Sequence, residues 1–481
     1  MTWRKKKIVV LVIGGLVVLG FLGVGWARSF MNRNRVVEVH EDIVEHFKYG
    51  SIGAEKRLGV PAPLWNLFPV MFADHLPKGR PGNGWERFGF LYEPGKQLPI
   101  GTSRRELPVE LIGLNCAACH TGTMRDRPGG ERRFLLGASS VNFDIGAYFQ
   151  FLLDIAQDPR FTVDALLDGI KAQDPDFGVV DGLIYRFAVL PEVVKTFKGN
   201  LTGFGWLKKR PPFGPGRVDT FSPYKVYHGL GVTDADAIGT ADFPTLYYQG
   251  PRVGMNLHWD GNNDVVEERN ISAAIGAGAE PASLDMPAMM RVRDWIMALK
   301  PPPFPRDRID MAKAERGEPH WRKHCADCHA FGGKRVGQVT PLAEIGTDPE
   351  RENSFTQALA ENQNTLGTGY PWKLSHFRKT GGYANAPLDG VWLRSPYLHN
   401  GSVPTLRALL SPVEERPKQF YRAYDVFDFD SVGYVSSGPE AEQLGWRYDT
   451  TVRGNGNGGH LYGVNMSPQE KDDLLEYLKT L

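Results

Sequence analysis

All four cysteines of the chain occur in two copies of one short pattern. The chain has 481 residues and four cysteines, which form Cys-x-x-Cys-His at residues 116–120 and again at residues 325–329. A zinc site would need the two pairs to meet in space and would leave both trailing histidines unexplained. A disulfide framework does not place its cysteines three apart twice and nowhere else. The pattern therefore indicates a different chemistry.

Each copy matches a site of covalent haem attachment. In Cys-x-x-Cys-His the two thiols form thioethers to the haem vinyl groups, and the histidine that follows becomes an axial ligand of the iron. Two copies with no spare cysteine therefore predict two haem c groups. The residues of the first haem site are Cys116, Cys119 and His120, and those of the second haem site are Cys325, Cys328 and His329.

The N-terminus predicts export. The stretch WRKKK contains four basic residues and precedes an uncharged apolar run, Ile8–Trp26. At about 1.5 Å per residue this run spans roughly 28 Å, close to the hydrocarbon thickness of a bilayer. We expect a single-pass helix in the inner membrane with the haem domains in the periplasm. The alternative is a signal peptide cleaved near GWA at residues 25–27.

Composition, chain length and a proline-rich break predict the domain organisation. With 42% hydrophobic and 23% charged residues the chain can bury a core, and its length favours more than one domain. The net charge of +1 gives no reason to expect a nucleic-acid partner. The proline-rich stretch PPPFP follows a segment that is apolar at helical spacing. We expect an anchor or signal segment at 1–27, an N-terminal haem domain with a wrapping extension at 28–300, and a C-terminal cytochrome c domain at 309–481.

Two helices are predicted to frame the second haem site. The stretch MAKAERGEPHWRKHCADCH is typical of a helix that runs into its haem motif. At the C-terminus, Ser467 can cap a helix, Pro468 takes its first position and Glu470 completes a capping box. The apolar face of that helix contains Leu474, Leu475, Leu478 and Leu481. The predicted fold class is mainly α, with two cytochrome c-like haem domains, long irregular loops and an N-terminal transmembrane helix.

Two further segments carry a family resemblance. Together with the haem motifs, LHWDGNNDVVEERN (residues 257–270) and APLDGVWLRSPYLHNGSVPTLRALL (residues 386–410) resemble the di-haem cytochrome c peroxidase superfamily. Relatives in that superfamily include the methylamine dehydrogenase maturation enzyme and the haem-dependent rubber oxygenases. The sequences of these two segments resemble the rubber-oxygenase branch more closely than the simple peroxidases. The resemblance covers most of residues 105–481.

The resemblance implies an open first haem. In the bacterial peroxidases this haem gains a second histidine from the loop after its motif, whereas here no histidine occurs between His120 and His228. A haem with one protein ligand can bind peroxide or dioxygen. Met124, His228 and His258 are the alternative second ligands.

The resemblance also implies catalytic residues. Trp259, in the WDG motif, would relay electrons between the haems, and the alternative is a tryptophan of the core. The peroxidases have a glutamine ten residues later and a glutamate twenty later, where this chain has Arg269 and Ala279. The candidate catalytic residues are therefore Trp259, Arg269 and Glu280. Glu268 and its neighbour Glu267 are alternative carboxylates to Glu280. The departure puts efficient peroxidase activity in doubt and leaves dioxygen or protein-radical chemistry open.

The second haem lacks the methionine ligand that the family pattern predicts. His399 stands where the peroxidases have a histidine that precedes this methionine by fourteen residues, and the corresponding position here is Val413. We expect His460, in GNGNGGHLYG, to be the ligand, which would lower the reduction potential relative to methionine. Met466, Tyr424 and His399 are alternatives. We expect His399 to serve a haem propionate or a water between the domains.

The expected function is that of an exported, membrane-anchored di-haem oxidoreductase. It is peroxidase-like, with a first haem that activates peroxide and a second haem that transfers electrons. The alternatives are a dioxygenase that cleaves an apolar substrate and an electron carrier without enzymatic activity. The expected partners are a small-molecule oxidant, an electron-donor cytochrome or quinol pathway, and the membrane through the N-terminal helix. The family often holds a calcium ion between the domains, although no stretch here is typical of a calcium loop.

Overall fold

The structure is a computed structural model that describes residues 39–481. Within that range 41% of the residues are helical and 12% are in strands. One three-stranded sheet has the order β1-β3-β2, and the other strands pair as antiparallel two-stranded ribbons: β4-β5, β6-β7, β8-β9, β10-β13 and β11-β12. The helices and the small sheets alternate along the described chain.

The helices are α1 (Ile43–Tyr49), α2 (Glu55–Leu58), α3 (Ala62–Met71), α4 (Cys116–Cys119), α5 (Ile145–Ile155), α6 (Val163–Gln173), α7 (Val179–Ile184), α8 (Leu190–Phe204), α9 (Ser222–Tyr227), α10 (Val266–Gly276), α11 (Met286–Ala298), α12 (Met311–His324), α13 (Ala326–His329), α14 (Leu342–Ile345), α15 (Glu350–Ser354), α16 (Gln357–Gln363), α17 (Leu406–Leu409), α18 (Pro439–Leu444) and α19 (Pro468–Leu478). The strands are β1 (Val60–Pro61), β2 (Thr102–Glu106), β3 (Glu110–Leu114), β4 (Thr121–Met124), β5 (Arg133–Leu136), β6 (Arg217–Asp219), β7 (Thr240–Asp242), β8 (Val339–Pro341), β9 (Gly382–Ala384), β10 (Gln419–Arg422), β11 (Phe427–Asp428), β12 (Gly433–Tyr434) and β13 (Trp446–Asp449).

The predicted fold class, mainly α with a transmembrane helix, is wrong. The sequence predicts long irregular loops between the helices and no strands. The strands are too short to show a period of two. Several pair with a partner far along the chain, as β10 does with β13, so tertiary structure rather than local pattern defines them. The predicted membrane segment, Ile8–Trp26, lies outside the described residues. Among residues 39–481 no helix is both long enough and apolar enough to cross a bilayer.

The first haem motif follows a strand and not a helix. Strand β3 ends at Leu114, and Asn115 then caps the single turn of α4 by accepting a hydrogen bond from the Ala117 amide at 2.9 Å. The Asn115 side-chain amide also donates to the backbone oxygens of Lys48 and Gly50, at 3.2 and 3.0 Å. These bonds attach the motif to the N-terminal segment, which packs beside it.

The second haem motif has the predicted helical frame. Helix α12 runs directly into the motif, and α19 begins with the expected capping box between Ser467 and Glu470. The two helices cross where α12 has Gly317, and a Cβ there would overlap the backbone oxygen of Asp473 in α19. Arg316 fixes the crossing with two hydrogen bonds to the Asp473 carboxylate, at 2.8 and 3.0 Å. Both predicted helices are confirmed.

The segments around the two motifs pack against each other. The buried carboxylate of Asp425 accepts hydrogen bonds from Thr123, Arg125 and Arg132, at 2.9, 2.7 and 2.7 Å. Met124 belongs to the same apolar cluster as the leucines of α19. The predicted domain boundary between residues 300 and 309 stays a prediction.

The helix crossing gives a test of packing. We expect Gly317→Ala to lower the stability of the protein by about 1–3 kcal/mol, because the added methyl group overpacks the contact with Asp473. The control is Gly199→Ala in α8, where a Cβ meets no atom within 4 Å. The control should be neutral or stabilising by up to about 1 kcal/mol, since alanine favours a helix. Thermal unfolding followed by circular dichroism measures both, and equal shifts would contradict the close crossing.

Candidate functional site

A backbone oxygen fixes the histidine of the first haem site. His120 follows α4, and its Nδ1–H donates to the backbone oxygen of Pro244 at 2.8 Å. The opposite ring nitrogen, Nε2, is left as the candidate ligand atom. Burial, with a smaller effect of the nearby Arg269 charge, lowers the pKa of His120 to about 3. The imidazole is therefore neutral at physiological pH, the form that binds a metal.

The histidine of the second haem site is held in the same way. His329 donates from Nδ1 to the backbone oxygen of Ala386 at 2.7 Å, and burial lowers its pKa. A hydrogen bond of this kind orients a metal-bound imidazole and makes it a stronger donor to the metal. Both motifs thus present an oriented, neutral histidine with a free Nε2.

Trp259 joins the two loops that carry these backbone oxygens. We name residues 242–244 the first acceptor loop and residues 384–386 the second acceptor loop. The Trp259 indole N–H donates to the backbone oxygen of Asp242 at 2.8 Å. Its own backbone oxygen accepts from the Ala384 amide at 2.9 Å. Through its side chain and its backbone, Trp259 therefore connects the two loops whose backbone oxygens hold His120 and His329.

A cleft of about 100 Å³, open to solvent, lies between the acceptor loops. Phe243, Pro244, Trp259, Arg269, Ala386 and Arg394 are among the residues that line it. Beside the second haem site, Asp389 Oδ1 accepts from Arg252 and Arg394 at 2.5 and 3.2 Å. Among residues 39–481, Arg252 Nη1, Arg394 Nε and the second carboxylate oxygen of Asp389 are buried without a hydrogen-bond partner. Two guanidinium groups with free donors fit the carboxylates of haem propionates.

The placement of His460 fits a second axial ligand. The ring centroids of His329 and His460 lie 6.2 Å apart. Two imidazoles that share one metal ion, with metal–nitrogen bonds of about 2.0–2.1 Å, place their centroids roughly 6 Å apart. Burial lowers the pKa of His460 to about 3, so its ring is also neutral. The four free cysteines complete both attachment sites.

The rival ligands at the second haem site have other partners. The Tyr424 hydroxyl donates to Glu440, and Met466 is buried in the apolar cluster of α19. His399 is buried, and its Nε2 lies 3.0 Å from the hydroxyl of Tyr383. That hydroxyl donates its own proton to the backbone oxygen of Asp348, so the histidine is the donor. The propionate or water role of His399 stays a prediction.

His120 has no comparable partner ring. Among residues 39–481 no aromatic or imidazole ring pairs with His120 at the spacing that separates His329 from His460. His258 donates from Nδ1 to Asn262 at 2.6 Å, and His228 stacks on Tyr224. Met124 is buried in the apolar cluster of α19. None of the three alternative ligands is paired with His120.

Arg269 lines the cleft without an anionic partner. Within the part of the chain that the structure describes, no carboxylate forms an ion pair or hydrogen bond with its guanidinium group. Burial lowers its pKa to about 10, so it is still charged at neutral pH. Its charge adds to burial in lowering the pKa of His120 and of His258, each to about 3. Arg269 therefore lies near both imidazoles.

The candidate carboxylates are engaged elsewhere. Glu280 forms a surface ion pair with Lys56 at 3.5 Å, and Glu267 pairs with Arg293 at 3.1 Å. Glu268 is buried and accepts four hydrogen bonds, from Asn263, from both the amide and the hydroxyl of Ser375, and from the His376 amide. The structure thus brings Trp259 and Arg269 into one cleft but gives Glu268 and Glu280 other contacts.

Comparison with known proteins gives the family. A family model described as RoxA-like, cytochrome c-like matches residues 382–422, which include the second acceptor loop and His399. The uncharacterized protein y4iM of Sinorhizobium fredii (strain NBRC 101917 / NGR234) is 33% identical over 285 residues, which cover 50% of this chain and 64% of y4iM. The uncharacterized protein y4iJ of the same strain is 44% identical over 544 aligned positions, which cover 86% of this chain and 85% of y4iJ.

The chain belongs to the y4iJ family. The RoxA-like match supports a haem cytochrome c oxidoreductase family, and a cytochrome c-like domain implies covalently bound haem c. In this y4iJ-family protein the matched segment supplies Ala386, which holds His329. The chain spans less than two thirds of the length of y4iM.

Sequence reasoning missed the supports of the haem histidines. Pro244 and Ala386 act through backbone oxygens, which every residue has, so no residue type marks them. The arginines of the cleft, Arg252 and Arg394, were also missed, although Arg394 lies within the segment 386–410. An arginine is common in any segment, so its residue type alone does not mark a place in the cleft. The sequence APLDG at the start of segment 386–410 contains Ala386 and Asp389. Its family resemblance was the sequence signal that pointed to this part of the site.

The position of Trp259 gives a test of its role. We expect Trp259→Phe to slow electron equilibration between the haems by about tenfold or more, equivalent to ~1.4 kcal/mol of barrier, because the indole and its hydrogen bond are lost. The control is Trp392→Phe. This buried indole also donates to a backbone oxygen, that of Pro302 at 3.1 Å, but it packs in the apolar cluster of α19 and does not line the cleft. Stopped-flow absorption of half-reduced protein measures the rate. Equal rates in the two variants would make Trp259 a packing residue.

Proposed function

We propose that this protein is a di-haem c-type oxidoreductase with a division of labour between its haems. His120 would hold the haem at which the oxygen chemistry takes place, and His329 and His460 would hold the haem that passes electrons. The 6.2 Å spacing of the His329 and His460 rings supports a closed second haem. The lack of a ring partner for His120 within the described residues supports an open first haem.

We propose that the oxidant is dioxygen and that the substrate is apolar. The observation that carries this proposal is that both candidate carboxylates, Glu268 and Glu280, are bound to other groups. Peroxide cleavage needs a group that moves a proton between the two oxygens, and Glu268 and Glu280 have other partners. The cluster beside Cys116 is apolar, and its buried members are Ile52, Ala54, Ala274, Ala279 and Met289. The RoxA-like match and the wording shared with the rubber oxygenases also support an oxygenase.

The residues of the cleft have distinct tasks in this proposal. A haem with a single protein ligand supplies, when bound, an open coordination position for a small oxidant. The Pro244 backbone oxygen orients the His120 ring and strengthens it as a ligand. Arg269 offers unpaired N–H donors and a positive charge where negative charge develops on oxygen. The apolar cluster excludes water from the neighbourhood of Cys116.

A peroxidase is the second candidate, because Arg269 alone can stabilise a departing hydroxide.

We also propose that the haem-bearing part of the chain is exported, since covalent haem attachment takes place on the outer side of the membrane. A donor cytochrome or a quinol pathway would then supply electrons to the second haem. A calcium ion between the domains remains only a family expectation.

The ligation proposal predicts two different ferric haems. We expect low-temperature electron paramagnetic resonance to show one high-spin and one low-spin signal. In His460→Gly the low-spin signal should be lost, because the second iron loses an imidazole. His376→Gly is the control, since His376 is exposed and pairs with Asp264 at 2.8 Å. Two low-spin signals in the unchanged protein would contradict the open first haem and favour an electron carrier.

The choice of oxidant is tested by turnover. We expect dioxygen uptake that depends on an apolar unsaturated substrate, and little oxidation of reduced cytochrome c by hydrogen peroxide. Arg269→Gln should lower the dioxygen-dependent rate by about 10²-fold or more, as the loss of a charge-stabilising donor does elsewhere. Arg293→Gln is the control, because Arg293 pairs with Glu267 and Asp294. Fast peroxide turnover without dioxygen uptake would contradict the oxygenase and support the peroxidase.

A further inference from the structure

His460 lies at the end of a loop that is rich in glycine. Residues 454–460, here named the ligand loop, have the sequence GNGNGGH and contain no helix or strand. Gly459 has a φ of 72°, and a Cβ there would overlap the backbone of Gly346 and Thr347. His460 itself has a φ of 50°. Glycine loses more conformational freedom on folding than any other residue, so strong contacts are needed to hold the imidazole in one place.

One buried arginine supplies many of these contacts. Arg416 follows a 3₁₀ turn at residues 413–415, and its side chain is 2% exposed. Its Nη1 donates to the backbone oxygens of Asn457 and Gly459, at 2.6 and 2.9 Å. A weaker contact at 3.5 Å joins Nη2 to the backbone oxygen of His460. The three acceptors are in the half of the ligand loop that ends at the imidazole.

The same guanidinium is fixed to the chain from which it projects. Arg416 Nη2 donates to the backbone oxygen of Leu409 at 3.2 Å, and Nε donates to that of Ser411 at 3.2 Å. All five of its contacts are thus to neutral backbone oxygens, and no carboxylate pairs with it within residues 39–481. Burial lowers its pKa. A buried cation without an anion is costly unless its donors are satisfied, and here the ligand loop supplies most of the acceptors.

The first half of the ligand loop has other supports. Asn400 donates to the backbone oxygens of Gly454 and Gly456, at 3.3 and 2.9 Å. The Asp348 carboxylate accepts from the Gly456 amide at 3.0 Å. Beside the imidazole, the His460 amide donates to the Ile345 backbone oxygen at 2.8 Å. Without Arg416, the end of the loop would keep this backbone hydrogen bond, a hydrogen bond from the Asn457 side-chain amide to the backbone oxygen of Pro417 at 3.2 Å, and the close contact of Gly459 with Gly346.

We infer that Arg416 is a positioning residue that holds His460 in place as the distal ligand of the second haem. This inference rests on the proposed function, in which His460 is that ligand. Arginine suits the task because its planar group offers five N–H donors in a fixed fork. A lysine has three donors around one nitrogen and cannot reach acceptors on both sides of the fork. The spin state of the second haem would thus depend on a residue that does not touch the haem iron.

The test compares Arg416→Lys and Arg416→Met with His460→Gly in the full-length holoprotein. We expect both Arg416 variants to lose most of the low-spin signal of the second haem in electron paramagnetic resonance, and added imidazole to restore it. Hydrogen exchange of residues 454–460 should be faster in Arg416→Lys. The control is Arg291→Met, because Arg291 also donates to two backbone oxygens, those of His40 and Glu41, away from the ligand loop.

The outcomes separate the two hypotheses. If His460→Gly loses the low-spin signal while both Arg416 variants keep it and exchange at the normal rate, the inference about Arg416 is wrong and the ligation proposal stands. If His460→Gly keeps the signal, His460 is not the ligand and both proposals fall. If Arg416→Met does not fold or bind haem, Arg416→Lys decides, since it keeps the charge and much of the volume.

Discussion

Two hydrogen bonds of Trp259 are the constraint on which the arrangement of this protein depends. One bond reaches the first acceptor loop and the other reaches the second, so the supports of His120 and His329 keep a defined relation to each other. A buried ion pair reinforces the first loop, because Arg422 donates to both carboxylate oxygens of Asp242 at 2.9 Å. Gly401 packs so closely on this pair that a Cβ would overlap it. The cleft and the relative placement of the two motif histidines depend on this framework.

Arginine is the residue that builds the environment of both candidate haems, and it does so in three ways. Arg269 is unpaired in the cleft near His120. Arg252 and Arg394 share one aspartate and keep free donors that suit propionates. Arg416 holds backbone oxygens of the ligand loop. Because a guanidinium group stays charged when buried and offers donors in a fixed plane, it can order loops that have little regular structure.

The contrast between the two sites is the structural basis of the proposed division of labour. At the second site a neutral imidazole stands on each side of the candidate haem position, which suits electron transfer with little rearrangement. At the first site apolar clusters pack against Cys116 and Cys119, and within the described residues the Arg269 charge nearby has no anionic partner. An electron path through Trp259 would connect the second site, where two imidazoles face each other, with the first site, where His120 has no partner ring among the described residues.

The sequence by itself determined the parts that depend on neighbours along the chain: the two haem attachment motifs, the helix that enters the second motif and the capped helix that ends the chain. The short strands, the strand-led first motif and the engagement of Glu268 and Glu280 were decided only by the tertiary structure. So were the backbone oxygens of Pro244 and Ala386 and the pairing of His329 with His460. The physical reason is that the haem attachment motif consists of five consecutive residues. The pairing of two histidines and their hydrogen-bond support need atoms that are remote in sequence. Many of those atoms belong to the backbone, which carries no residue-specific signal.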